Sequence, residues 1–373
     1  MSTYALIVGG GTAGHVLPGV AIGAELVHRG HDPATIHFVG SERGVERTIV
    51  PEAGFDQTLL PGRGIQRRFT RDNIGAIRGL IDAFGQAKTL VDDREPAVVV
   101  ALGGYASVPA GLWAAIRRIP IVVAEQNAVP GLANKLIGRF AKACAVSFEG
   151  TELPRATWTG NPVRPEILAV GADAAAARDR ARSELGLAAG TKLVVVFGGS
   201  LGARTINNAT IDALDLLKDR QDVHIRHIIG TRDFADITSK AAKRLDGPLT
   251  YTPIEYEHDM ASIFAAADLV VCRAGATSCA ELAVTGTPSV LIPLPGAPGD
   301  HQTANARALE RVGGAELVPD SLVDGPLVAR TVERLLEDPE TLADMRLDAR
   351  SIARPDAASA VADLVERFGG SHG

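Results

Sequence analysis

Short runs that are apolar at nearly every position alternate along this chain with glycine-rich turns and Ala-rich amphipathic stretches. The runs are ALIVGGG, TIHFVG, AVVVALGG, IPIVVAEQ, KLVVVFGGS, VHIRHIIG, DLVVCRAG and PSVLIPLP. A strand apolar on both faces must be covered on both faces, as in a parallel sheet flanked by helices, so the alternation predicts βαβ units. The fold class is α/β. Two units resemble each other, ALIVGGGTAGHV near the start and LVVVFGGSLGARTINN from Leu193, as if a nucleotide-type fold began twice. A Pro-, Gly- and Ala-rich stretch precedes the second start and places a domain boundary between Asn161 and Glu166. Beyond Pro339 the pattern predicts two helices broken at Pro355.

The length of 373 residues exceeds what one hydrophobic core usually serves, which supports two domains. With 46% hydrophobic and 22% charged residues the composition is that of a globular protein. No apolar run approaches the roughly 18–20 residues of a membrane span, and Tyr4 to Val8 is too short for a secretory signal, so a cytoplasmic protein is expected. A net charge of −6 argues against nucleic acid as a partner. Cys144, Cys272 and Cys279 form no C-x-x-C pair and have no zinc-like spacing with histidine; they read as reduced, buried thiols.

Glycines at a strand-to-helix turn let the backbone approach a ligand, and the following helix directs N–H groups and a positive dipole end at it. The first such turn, GGGTAGHVLPG at residues 9–19, matches G-x-G-x-x-G through Gly9, Gly11 and Gly14. A dinucleotide site would also want an acidic residue at the end of the second strand, where this chain has Gly40 and Ser41, with Glu42 one step late. His15 follows Gly14 at the helix start, where the dipole disfavours its protonated form and a neutral imidazole could act as a general base. A histidine that only caps the turn remains the plain alternative. The second turn, Gly198 to Ala203, adds the Ser200 hydroxyl and reads as the better phosphate cradle; a third, GGYASVP, begins at Gly103. Glu281 lies in a helix after the small-residue turn GATS, where its carboxylate could accept from two ribose hydroxyls. Asp300, His301, Gln302 and Asn305 cluster in a loop suited to reading sugar hydroxyls or an acetamido group, or to ordinary helix capping.

Seven segments, GGGTAGHVLPGVAIGAEL, GGYASVPAGLWA, EQNAVPGLANK, GNPVRPEI, FGGSLGARTINNA, RAGATSCAELAVTGTPSVLIPLP and DHQTANA, occur in this order between Ala5 and Val318. Together they closely resemble the MurG family of UDP-N-acetylglucosamine transferases. The resemblance implies a GT-B fold, two Rossmann-like domains with parallel sheets facing a central cleft, and inverting transfer of N-acetylglucosamine from UDP-GlcNAc without metal or cofactor. The implied acceptor is the C4 hydroxyl of the muramoyl sugar of undecaprenyl-diphospho-MurNAc-pentapeptide (lipid I), and the product is lipid II for peptidoglycan. Residues 1–163 would form the acceptor and membrane-side domain and 164–350 the UDP-GlcNAc-binding domain, with 351–373 a C-terminal helix able to pack back on the first. By motif, His15 would deprotonate the acceptor, with Glu125 a second candidate base or an orienting partner. Thr12, Ala13, Gly14 and Asn127 would lie near the transferred sugar. Arg164 and Ser200 would contact the donor, Ser200 at its diphosphate. Ile254 would meet the uracil through its backbone, Ala276, Thr277, Ser278, Cys279, Ala280 and Glu281 would frame the nucleoside, and Gln302 would touch the sugar. Ala13 stands where the family often has glycine, which is tolerable only with ordinary backbone angles.

A lipid-borne acceptor requires a surface that lies on the membrane. Residues 63–88 carry Arg63, Arg67, Arg68, Arg71, Arg78 and Lys88 against Asp72 and Asp82, with Ile74, Ile77, Ile81 and Phe84 at helical spacing. That composition fits peripheral attachment to anionic lipid on the cytoplasmic face. The family resemblance also implies other cell-wall synthesis and division proteins as partners. The competing readings are another UDP-GlcNAc-using GT-B enzyme such as a 2-epimerase or a glycolipid synthase, an NAD-linked oxidoreductase, and a non-catalytic membrane scaffold.

Overall fold

The computed structural model describes residues 3–42, 44–61, 72–199 and 202–370, with the backbone alone described over 72–81. It divides into two compact units, Met1–Arg164 with Arg354–Gly373, and Pro165–Ala353.

The first unit is a seven-stranded sheet, every pair of neighbouring strands parallel, in the order β3-β2-β1-β4-β5-β6-β7. Its strands are β1 (Ala5–Gly9), β2 (Ile36–Ser41), β3 (Asp56–Leu60), β4 (Val98–Gly103), β5 (Ile121–Glu125), β6 (Ala143–Val146) and β7 (Ala156–Trp158). Between them run α1 (Ala13–His28), α2 (Glu46–Glu52), α3 (Asp72–Arg94), α4 (Ser107–Ile116) and α5 (Leu132–Ile137). The second unit begins with α6 (Pro165–Ala172) and α7 (Ala174–Glu184). It continues through β8 (Lys192–Phe197), α8 (Arg204–Leu217), β9 (Val223–Ile228), α9 (Phe234–Ala241), β10 (Thr250–Ile254), α10 (Met260–Ala266), β11 (Leu269–Cys272), α11 (Ala276–Thr285) and β12 (Ser289–Leu291). It ends with α12 (His301–Val312), β13 (Ala315–Leu317), α13 (Gly325–Leu336) and α14 (Pro339–Ser351). Its sheet is parallel in the order β10-β9-β8-β11-β12-β13.

All eight apolar runs are strands. The strands without such a run are β3, β7, β10 and β13, which are the four sheet edges, and the short β6. In both sheets the strand order reverses beside the first strand, between β1 and β4 and between β8 and β11. Open α/β sheets leave a crevice for ligands at the carboxyl ends of strands at such switch points. Three of the glycine-rich turns sit there, after Gly9, Gly103 and Phe197.

The chain closes on its beginning. α15 (Ala357–Gly369) brings Val361 and Val365, each at most 1% exposed, into the core of β1, β4 and α1. Burying such side chains fully is worth roughly 1.5–3 kcal/mol each. Arg29, after α1, bonds Asp363 at 2.6 Å, Glu366 at 2.8 Å and the Ser359 hydroxyl at 2.6 Å, while the Tyr4 hydroxyl donates to the Gly370 carbonyl at 2.8 Å. Burial pushes the Glu366 carboxyl up, but bonds from His31 and Arg29 outweigh it and hold the group below its ordinary range. The expected break near Pro355 is the gap between α14 and α15.

Candidate active site

In the first unit a shift of register between Val8 and Gly9 makes Gly9 the partner of Gly103. The Ser107 hydroxyl locks the two turns together: it donates to the Val8 carbonyl at 2.9 Å and accepts from Gly103 N–H at 3.0 Å, with no exposure to solvent. α1 then starts from Thr12, whose side chain makes no capping bond to the helix. The Thr12 hydroxyl instead stands 2.9 Å from Nδ1 of His15. His15 is half-buried and borders the third turn, since a Cβ on Gly103 would lie 3.4 Å from its Cδ2 and 3.1 Å from Nδ2 of Asn134. Ala13 is the first helical residue and has no positive φ, so its methyl group costs nothing there. Gly14 follows within the helix, and Pro18, lacking an N–H, cannot bond its carbonyl.

Glu125 ends β5 and is only 2% exposed. Its Oε1 accepts from the backbone N–H and the side-chain amide of Asn127 at 2.9 and 3.3 Å, and its Oε2 from Gly131 N–H and Asn134 Nδ2 at 3.0 and 2.9 Å. The carboxylate therefore organises the loop EQNAVPG. Arg164, half-buried, is the last residue of this stretch of the unit.

In the second unit the turn after β8 carries Gly199 and Gly202 with φ of +102° and +77°. Gly202 is required, because a Cβ there would collide with the Ile229 carbonyl as well as strain the backbone. Ser200 lies outside the described residues. A buried chain supports the turn from beneath: Tyr251 hydroxyl to His227 Nδ1 at 3.0 Å, His227 Nε2 to Asn207 Oδ1 at 3.0 Å, and Asn207 Nδ2 to the Ile229 carbonyl at 3.1 Å. Burial drives the His227 imidazolium pKa down to about 3, so the ring is neutral. Ile229 N–H in turn donates to the carbonyl of Ile254, at 2.8 Å, which ties the candidate uracil position to the same framework.

α11 begins after Gly275. Ala276 and Cys279 are buried inward, 7% and 1% exposed, and the Cys279 amide bonds the Gly275 carbonyl at 2.9 Å. Thr277, Ser278 and Ala280 are half-buried, Glu281 is 5% exposed, and the Thr277 hydroxyl is buried without a hydrogen-bond partner among the described residues. A buried hydroxyl left open at a helix start can bond a ligand or a water. Gln302 accepts at its side-chain oxygen from Leu294 N–H at 2.9 Å, which fixes the amide orientation. Elsewhere in this unit α7, α10, α13 and α14 are capped by the carboxylates of Asp173, Asp259, Asp324 and Asp338. At the switch point α8 and α11 start from Ala203 and Gly275 with no side-chain cap, as α9 and α12 do from Asp233 and Asp300, and their N–H groups and dipoles can meet an anion there.

Comparison with known proteins accounts for this layout. The glycosyltransferase family 28 N-terminal domain matches residues 5–146, and the family 28 C-terminal domain matches residues 193–367. Proteins of Desulforudis audaxviator and Acidothermus cellulolyticus are 37% and 39% identical, over 98% of this chain in both cases and 98% and 97% of theirs. Both bear the name UDP-N-acetylglucosamine–N-acetylmuramyl-(pentapeptide) pyrophosphoryl-undecaprenol N-acetylglucosamine transferase. The crystal structure of Acinetobacter baumannii MurG superposes with a TM-score of 0.76 at 26% identity, covering 98% of this chain and 99% of that one. The chain belongs to the MurG family. Its fold is GT-B, and it is a UDP-sugar glycosyltransferase.

Within this MurG-family chain the sequence reading missed several supporting groups. Glu46, Ser107, Asn134 and the pair Asn207–His227 hold the turns in shape; Ser107, Asn134 and Asn207 stand inside the motifs GGYASVPAGLWA, EQNAVPGLANK and FGGSLGARTINNA with no role read for them, while Glu46 and His227 lie at no spacing that marks them. Of the expected membrane patch, Arg63, Arg67, Arg68 and Arg71 and the side chains of Ile74, Ile77, Arg78 and Ile81 lie outside the described residues. Phe84 packs edge-on to Trp113 of α4 at 6.1 Å, and Lys88 stands over the same indole at 5.0 Å, so these two serve packing between α3 and α4.

Proposed function

We propose that this chain transfers N-acetylglucosamine from UDP-GlcNAc, with inversion, to the C4 hydroxyl of the muramoyl sugar of lipid I, giving lipid II for peptidoglycan. One observation carries the reading: a chain related over its full length to enzymes of that name presents a histidine at an uncapped helix start. With Nδ1–H donating to Thr12, Nε2 of His15 holds the lone pair. The C4 oxygen attacks the anomeric carbon as His15 takes its proton, and the bond from that carbon to the diphosphate breaks, its electron pair leaving with UDP. One displacement inverts the centre. The charge gathering on the diphosphate is met by the uncapped N–H groups and positive dipole end of α8.

In this reading Glu125 is a positioning residue that sets Asn127 for the acceptor side. Glu281 accepts from the ribose hydroxyls, Thr277 and Ser278 line the nucleoside, Ile254 meets the uracil, Arg164 and Ser200 hold the donor, and Gln302 touches the sugar. The chain works as a peripheral protein on the cytoplasmic face of the membrane, supported by the basic and apolar composition of residues 63–88. No described helix is long and apolar enough to cross a membrane.

The test is product analysis after incubation with UDP-GlcNAc and a soluble lipid I analogue. One UDP should appear per β-linked disaccharide, and none without acceptor. Formation of an epimerised UDP-sugar with no disaccharide would replace this reading with the epimerase.

A further inference from the structure

A basic site lies at the amino-terminal ends of the second unit's strands, opposite the end that carries its glycine turn. A cavity of about 590 Å³ opens there beside Lys192, the first residue of β8, and Thr285, the last residue of α11. Its lining holds four cations, Arg178, Lys192, Arg346 and Arg350, and one carboxylate, Asp268. That carboxylate is already used: Oδ1 accepts from Arg178 at 2.6 Å, and Oδ2 from Arg182 at 3.2 Å and from Leu193 N–H at 2.8 Å. Arg346 and Arg350, one turn apart on α14, each donate one bond to a helix-end carbonyl, Ala267 at 3.2 Å and Thr285 at 3.1 Å. Neither they nor Lys192 form an ion pair among the described residues. Burial first, and then the guanidiniums of Arg178, Arg350 and Arg182, pull Arg346 down to about 10 against the opposing charge of Asp268. The lining also holds apolar residues, among them Val170, Pro339 and the exposed Leu347.

Helix-end carbonyls account for one N–H of each α14 arginine; Asp268 and Asp222 act on Arg346 and Lys192 only at longer range, and among the described residues no carboxylate pairs with the remaining forks or the ammonium. A single carboxylate would answer one of these three cations. A phosphate group carries up to two charges and several acceptor oxygens and matches guanidinium forks in geometry. We propose that this cavity binds a phosphate ester bearing an apolar moiety, at a site separate from the donor diphosphate turn.

The test uses the full-length protein and inorganic pyrophosphate as the probe, titrated calorimetrically with and without saturating UDP. Binding should persist when UDP is present. The double variant Lys192→Gln/Arg350→Gln, which spares the half-buried Arg178, Arg182 and Arg346, should weaken it at least about tenfold while the melting temperature and UDP affinity stay near wild type. Sedimentation with phosphatidylglycerol or phosphatidylcholine vesicles identifies the source of the phosphate. Loss of phosphatidylglycerol binding in the variant, with displacement by pyrophosphate, assigns a lipid headgroup; vesicle binding unchanged beside lost pyrophosphate binding assigns a soluble ester. Absence of pyrophosphate binding to the UDP-saturated wild type, or equal binding by the double variant, overturns the proposal.

Discussion

Gly11 donates its backbone N–H to Oε2 of Glu46 at 2.9 Å, across 35 residues of sequence, while Oε1 of the same carboxylate accepts from Ser41 N–H at 2.6 Å. Glu46 is 2% exposed and fills the space that a side chain on Gly10 would need. A buried carboxylate thus shapes the first glycine turn. Glu46→Gln would set an amide donor against a backbone N–H, at a cost of about 1–3 kcal/mol. The expected outcome is a lowered Tm with a raised KM for the acceptor. Wild-type values of both would remove Glu46 from this role.

Glu125 accepts four hydrogen bonds inside the first unit, and a carboxylate so occupied serves better as an anchor than as a base. In Glu125→Gln the loop that carries Asn127 should loosen, lowering kcat and Tm together. The acid limb of the kcat/KM profile against pH should nevertheless remain. Disappearance of that limb would move the proton transfer from His15 to Glu125.

Glu281→Ala should raise the KM for UDP-GlcNAc by at least roughly 10–100-fold, since even one hydrogen bond to a charged acceptor contributes about 1.5–3 kcal/mol. The effect on kcat should be smaller. A 2′-deoxyuridine donor should lose part of its penalty in the variant; an equal penalty in both proteins would place the ribose elsewhere.

The buried neutral His227 links stability to pH. Its folded-state pKa, about 3, lies below the ordinary value of 6.5, so only the unfolded chain takes up a proton between these limits. The stabilisation is complete above pH 6.5 and is lost as pH falls toward 3. His37, driven to about 4 by burial and then by Arg94, adds to the same slope in the first unit. At pH 5 the His227 contribution alone is on the order of 2 kcal/mol. Thermal melts of His227→Gln should therefore show a shallower fall of Tm between pH 6.5 and 4 than wild type. Parallel curves would contradict the assignment.

Most inner strands were legible because they are buried on both faces and apolar throughout, as Val98 to Leu102 and Leu193 to Phe197 are; β6 is only four residues long, and β9 mixes apolar residues with His224, Arg226 and His227. Edge strands are under no such demand. β3 begins with the exposed Asp56 and β10 with the exposed Thr250, and nothing in DQTLL or TYTPI stands out from a loop. The glycine turns and His15 were legible for a related reason: close backbone approach limits the residue types that fit. Glu46 was not, because its partner lies 35 residues away and only the fold brings them together. Phe84 shows the limit of helical periodicity, which marks an apolar face without saying what covers it; here the cover is Trp113.

His15 carries the central claim, and UDP release with UDP-GlcNAc and a lipid I analogue, comparing wild type with His15→Ala, tests it most directly. Because His15 is half-buried at a helix start and its Nδ1 bonds the exposed Thr12 hydroxyl, the variant should fold with nearly unchanged Tm. The account predicts a kcat lowered by about 10²–10⁴, the usual worth of a positioned general base, with the KM for UDP-GlcNAc close to wild type. A folded His15→Ala protein that releases UDP at the wild-type rate would contradict it.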